Sequence, residues 1–323
     1  MGKLKEIFVT DTNLRLENNI VKGGVLPNKF TELKRSVNIA GETIVEGPLY
    51  SSQLTIEGGP LEVTGATFVP GEIYVNQDVD CDVIFRKAVG SASSIVSRGG
   101  KCKLTFCSDV NSKNVSLVNA FVAGSIYADD ITLDNCVVVG GVFATQSLNL
   151  KDCIVGTFIS PEVNLEGNIY LLLPSVFSLN GVKYSKSTRL YSLALADLGA
   201  LYRGVEESPE SGKIELNLDF DNLKTTLVEG EHQRTVHSYT VIGKVLAADL
   251  IDTDKFQNHF LLSAASLGPQ LLRVYDLGPD KNGQPSLLSV EKIRSFLFDI
   301  LHGKINVKEM DASFSMDELV KNM

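Results

Sequence analysis

Three carboxylates spaced two residues apart are the first candidates for chemistry. In Gln77-Asp78-Val79-Asp80-Cys81-Asp82 they would project from one face of a strand. Carboxylates held close together on a β-wall can act as the acid and base of polysaccharide cleavage. With Val79, Cys81 and Val83 turned inward, the same spacing describes a solvated polar face, and that is the expectation. Asp129-Asp130 has turn-forming character and is expected at a corner. His232 and His237 lie five apart, a spacing that suits an exposed hairpin edge better than a metal pair. Cys102 and Cys107 have no nearby His, so they fall short of the four ligands of structural zinc. No glycine-rich phosphate loop followed by Lys-Ser/Thr occurs. The chain is therefore expected to be non-enzymatic, with no catalytic residue, cofactor or metal.

The elements around these residues repeat. Val115-Ser116-Leu117, Ile131-Thr132-Leu133, Leu148-Asn149-Leu150 and Val163-Asn164-Leu165 recur every fifteen to seventeen residues. Each unit carries further apolar pairs with one residue between, such as Ala120/Val122 and Ile126/Ala128, then Cys136/Val138 and Val142/Ala144. Alternation over three residues is a short strand with two side chains facing one way. Three such strands per unit describe a three-sided coil that buries its apolar face only by stacking on its neighbours. Gly124, Gly140 and Gly156 recur at one corner, where positive φ and the lack of a Cβ are expected to matter. Asn119, Asn135 and Asp152 occupy another, within reach of the neighbouring backbone. Cys136 and Cys153 hold equivalent places in successive units and are expected to pack as small apolar groups.

Upstream, Val37-Asn38-Ile39, Leu54-Thr55-Ile56 and Ile73-Tyr74-Val75 continue the pattern. Between Cys81 and Val110 the register blurs, and Ser91 to Ser97 with Gly99-Gly100 reads as an inserted loop. Val176 to Val182 reads as a shortened terminal coil. The fold expected is mainly β: a right-handed three-sided parallel β-helix over residues 37–184, followed by a smaller α+β domain over 190–305. Residues 1–36 lead in and 306–323 form a polar tail. In the second region, Leu190 to Leu201 has helical spacing and Ile214 to Phe220 alternates as a strand. Thr235 to Leu246 is a second strand candidate, and Val290 to Leu301 is a helical stripe closed by His302-Gly303.

Composition narrows the classes of function. With 44% hydrophobic residues in 323, the chain can bury a sizeable core. A net charge of -9, no basic stripe and no Trp argue against nucleic acid. No apolar run reaches bilayer-spanning length. Met1 to Asp11 lacks the apolar core of a secretory leader, and five cysteines is an odd count, so a reduced, cytoplasmic protein is expected. Glu6 stands where a myristoylation signal prefers Ser or Thr, which leaves only a peripheral membrane contact by the first residues to consider. Left-handed coils of strict hexapeptides often belong to acyltransferases with a catalytic His; these units are longer, and none of the four histidines falls in the repeat.

Gly124-Ser125-Ile126-Tyr127-Ala128 with Ile131-Thr132-Leu133, then Gly140-Gly141-Val142-Phe143-Ala144 with Leu148-Asn149-Leu150, resembles the repeat of bactofilins. Gly167-Asn168-Ile169-Tyr170 is similar. The match is best over 110–172 and weaker over 37–90. The resemblance implies a cytoskeletal protein that assembles end to end, without nucleotide, into a scaffold for shape or for localising partners. This chain departs from that family in its long C-terminal region, which is expected to cap one end or to dock protein partners, through Lys213 to Asp221 or Ser289 to Leu301. Alternatives are a carbohydrate-active or carbohydrate-binding β-helix using Asp78, Asp80 and Asp82, and a monomeric adaptor whose solenoid is a rigid spacer.

Overall fold

Short apolar alternations such as Leu54-Thr55-Ile56 bury two side chains each, too few to hold a strand alone. The chain solves this by winding into a parallel β-solenoid, and the fold is mostly β. The computed structural model describes residues 8–9, 12–26, 34–76, 78, 80–172, 175–178, 182–184, 188–192, 237–240, 259–263, 272–276, 286–287 and 289–304. They fall in two compact units, Met1–Val138 with Phe143–Asn149, and Val139–Val142 with Leu150–Met323.

In the first unit each coil contributes one strand to each of three parallel ladders. The first ladder runs through Asn13–Leu16, Ser36–Ile39, Leu54–Ile56, Glu72–Asn76, Ser94–Arg98, Asn114–Val118 and Ile126–Asp134. Its register stacks Val37, Leu54, Ile73, Ile95, Val115 and Ile131 in one interior column. All six are buried, so like packs on like from coil to coil. Each such side chain contributes about 1.5–3 kcal/mol on leaving water. The second ladder passes from Asn19–Lys22 through Thr43–Glu46, Leu61–Val63, Asp82–Phe85 and Lys103–Phe106 to Ala120–Val122. There Phe85 and Phe106 stack with centroids 5.3 Å apart. The third joins Val25, Leu49–Tyr50, Thr67–Val69, Val89–Ser91, Val110–Asn111 and the start of Ile126–Asp134.

Two expectations change here. The parallel pairing reaches back to Leu14, which stands opposite Val37, so the ladders begin before residue 37. The stretch from Cys81 to Val110 is not a blur with an inserted loop: Val89–Ser91 and Ser94–Arg98 are ladder strands. The sequence hides them because Ser91 and Ser97 occupy buried slots. Their hydroxyls are satisfied, Ser91 donating to the Gly71 carbonyl at 2.6 Å and Ser97 accepting from the Val118 N–H at 3.0 Å.

Alternation also understates burial on the second wall. Phe121 and Val137 point away from the interior, yet they are 1% and 0% exposed. At these coils the wall is covered on both faces, which is why Ala120–Val122 is apolar throughout.

In the second unit, Val163 pairs in parallel with Val182, Ile159 with Phe177, and Ile169 with Leu190. Leu190 is therefore in a strand, Arg189–Ser192, and does not begin a helix. Ladder pairing with Asn168–Leu171 overrides its local helical spacing. The expected helix beyond it and the strand Ile214 to Phe220 lie outside the described residues. Within Thr235 to Leu246, His237–Thr240 is a strand, antiparallel to Ser175–Ser178. His259–Ser263, Leu272–Asp276 and Ser286–Leu287 form a separate antiparallel sheet. The helix Val290–Leu301 forms as its spacing predicts, with Ser289 as N-cap accepting from the Lys292 N–H, Glu291 in the first turn and Gly303 at φ 67° just past the end. Leu297, Phe298, Ile300 and Leu301 are its buried face.

Candidate functional site

The three spaced carboxylates do not share a strand. Asp82 opens Asp82–Phe85, Asp80 precedes it, and Asp78 lies in a turn where its N–H meets the Asn76 side chain at 3.2 Å. All three are exposed, and Asp82 lies 4.0 Å from Lys103 Nζ on the next coil. Cys81 and Val83 face inward, whereas Val79 lies outside the described residues. Asp129 and Asp130 sit where the chain leaves the third ladder for the first, both N–H groups donating to the Lys113 carbonyl. Their carboxylates accept from the Thr145 and Ser147 hydroxyls one coil on. These acids hold coils together. His237 belongs to a strand backbone, and His232 lies outside the described residues, so their pairing does too.

The corners divide their work differently from expectation. Asn18, Asn119, Asn135 and Asp152 take the left-handed conformation, at φ 46–54°, whereas Gly124, Gly140 and Gly156 do not. Asn and Asp tolerate that region because their short polar side chains bond locally. Asn119 donates to the Gly100 carbonyl at 2.8 Å and accepts from Asn135, forming a side-chain ladder along the corner. Gly124 and Gly156 are required by close approach: a Cβ at Gly124 would collide with Asp109, and one at Gly156 with the Gly140 backbone. The reading of the sequence missed what Asp109 does. Its carboxylate accepts the Ser125 N–H at 2.8 Å, just as Asp152 accepts the Asn168 N–H at 2.8 Å. An Asp followed one coil later by Gly and a polar residue is the signal that would have found both.

All five cysteines are thiols. Cys136 lies buried between the Leu117 and Asp134 carbonyls and accepts from the Ala120 N–H. Burial pushes its pKa up to about 12. Cys153 is buried and Cys107 half-buried beside Arg86. Cys102 faces Cys81, on the coil before, and not Cys107. Among the described residues no group of three or more metal-capable side chains converges.

What the coils expose is edge and surface. At the N-terminal end the first ladder carries an antiparallel strand, Phe8–Val9, on Asn13–Leu16. The second ladder begins with Asn19–Lys22, and among the described residues no strand lies on its outer side. Ile20 and Leu26 there are 54% and 44% exposed. On the third wall an outward row holds Tyr50, Phe68, Gly90, Asn111 and Tyr127 in register. Tyr127 stacks on Phe143 with centroids 5.0 Å apart. No helix among the described residues is long and apolar enough to cross a membrane. No protein family, curated protein or solved structure matches this chain.

Proposed function

We propose that this chain is a non-enzymatic structural scaffold that self-associates through the ends of its solenoid without nucleotide, as the bactofilins it resembles do. The observation that carries the reading is the first strand of the second ladder, Asn19–Lys22, open on its outer side among the described residues, carrying exposed Ile20 and followed by exposed Leu26. An open parallel edge with apolar side chains is a template for another chain. Pairing there needs no cofactor, since ladder hydrogen bonds and apolar burial supply the stabilisation.

The antiparallel strand His237–Thr240 on Ser175–Ser178 argues for limited assembly, because it interrupts parallel growth on that ladder. The C-terminal region then serves as cap or as docking module for protein partners in the cytoplasm. The right-handed coil and the cytoskeletal or partner-localising role belong to the same reading.

Sedimentation of the full chain over a hundredfold range of concentration, with no nucleotide, tests it. Mass should rise with concentration, and Ile20→Glu should move the transition to at least about tenfold higher concentration, the equivalent of 1.4 kcal/mol. A monomer throughout, identical in Ile20→Glu, overturns the reading.

A further inference from the structure

We propose that Cys81 and Cys102 are a thiol pair that closes to a disulfide by exchange with a small-molecule disulfide, stapling two successive coils. The two sulfurs lie 3.6 Å apart across neighbouring rungs of the second ladder. The Lys103 N–H donates to the Cys81 carbonyl at 2.8 Å, which locks the two rungs side by side. Neighbouring strands run about 4.8 Å apart, inside the roughly 4.4–6.8 Å between Cα atoms that a disulfide spans. Closing the bond brings the sulfurs from 3.6 Å to about 2.0 Å, by side-chain rotation and a small approach of the two rungs. Gly59 makes room on the coil before, since a Cβ there would lie 2.9 Å from Cys81 Sγ.

Access is asymmetric. Cys81 is 9% exposed and Cys102 1%, so the reagent meets Cys81 first. Cys81 gives up its proton, and its thiolate attacks one sulfur of the small disulfide, expelling one thiolate that takes up a proton. The Cys102 thiolate then attacks the Cys81 sulfur and expels the second. Two protein thiols and one small disulfide become one protein disulfide and two small thiols. Burial, and after it Asp82 and Asp80, raise the Cys81 pKa against the Cys102 hydrogen bond, so exchange is slow at neutral pH and quickens as pH rises. The bond closes a loop around one whole coil, twenty-one residues along the chain. That coil is among the longest of the first unit, the place where a covalent tie between layers constrains most.

Incubating the full chain at pH 8 with glutathione disulfide tests the pair. Two of the five thiols should disappear, the mass should fall by two hydrogens, and unreduced peptides should join Cys81 to Cys102. Dithiothreitol should restore all five, and the oxidised form should melt roughly 5–10 °C higher. Cys81→Ser or Cys81→Ala should keep all four remaining thiols out of any internal disulfide, whereas Cys107→Ser should still lose two. The peptide map of the unsubstituted chain decides the matter if a variant does not fold. A glutathione adduct that never resolves, a bond from either residue to Cys107, or five intact thiols overturns the proposal.

Discussion

The coils from Asn114 to Val138 and those from Glu72 to Asn111 stack in the same parallel ladders but are built to different lengths. Val115 pairs with Ile131 sixteen residues on, whereas Ile73 pairs with Ile95 twenty-two on, and Ile95 with Val115 twenty on. In the shorter coils the turn is made by Asn119 and Asn135 in the left-handed region, their side chains bonded along the corner. In the longer coil after Ile95, Gly99 takes that conformation, within a bend that runs through Cys102. The interior columns do not notice: Ile95, Leu104 and Phe106 are as buried as Ile131. Stacking fixes the fold, and corners absorb the extra residues at the modest entropy that loop length adds.

The largest expected effect tests whether coil length is indeed irrelevant to the core. Val138→Asp and Ile95→Asp each place an unpaired charge in a dry column and should destabilise by at least about 4 kcal/mol, enough to unfold a marginal protein. Circular dichroism and thermal melts should show the two variants equally damaged. A folded Ile95→Asp protein beside an unfolded Val138→Asp protein would mean that the long coils are only loosely part of the core.

Much of this was legible in the chain. Val115/Leu117 and Ile131/Leu133 fall on a fixed period, and Ser289 and Gly303 bracket a helical stripe, because strand alternation and helix caps are local chemistry. What escaped was non-local. Leu14 pairs with Val37 across a long connection, so no period reveals it. Leu190 has helical neighbours in sequence but a strand partner in space. The facing thiols of Cys81 and Cys102 depend on the register of a coil whose buried serines read as loop. The carboxylates at Asp78, Asp80 and Asp82 were visible, and so was their solvated character, but not that only Asp82 belongs to a strand. The pairing of Asp109 with Ser125 was not, because it joins two coils.

Corners come next in size. Asn119→Ala should destabilise by about 1–2 kcal/mol, from left-handed strain and the lost bonds to Gly100 and Asn135. Asn119→Gly should recover roughly half of that by relieving the strain alone. Gly99→Ala, at φ 87°, should lose about 1–2 kcal/mol with no side-chain bond to lose. If Asn119→Gly is as damaging as Asn119→Ala, the side-chain ladder and not the backbone conformation defines the short corner.

Alkaline titration separates the regions by a smaller margin. Cys136 has its pKa raised from 9.0 to about 12 by burial, so the folded state keeps the proton that the unfolded state has shed between those values. The unfolded state then binds fewer protons, and stability falls as pH rises through that window, by up to about 1.4 kcal/mol per pH unit from this group. Denaturant melts at pH 8 and pH 10 should show the loss, and Cys136→Ala should flatten it by about 1 kcal/mol relative to the parent. An unchanged slope in Cys136→Ala would place the thiol in a wetter setting than its contacts with Leu117 and Asp134 imply.

Asp82→Asn should have the smallest effect. Its carboxylate is more than half exposed and 4.0 Å from an equally exposed Lys103 Nζ, an arrangement worth no more than about 0.5 kcal/mol in water. Screening by salt should shrink even that, so melts in low and high salt should converge for parent and variant. The same substitution bears on chemistry. A carboxylate that takes part in bond cleavage needs a defined partner and a sheltered setting, and Asp82 has Lys103 and solvent. A loss of stability above about 1 kcal/mol would show that this acid holds the long coil together. A loss of any glycan turnover with the fold intact would make it a working acid after all.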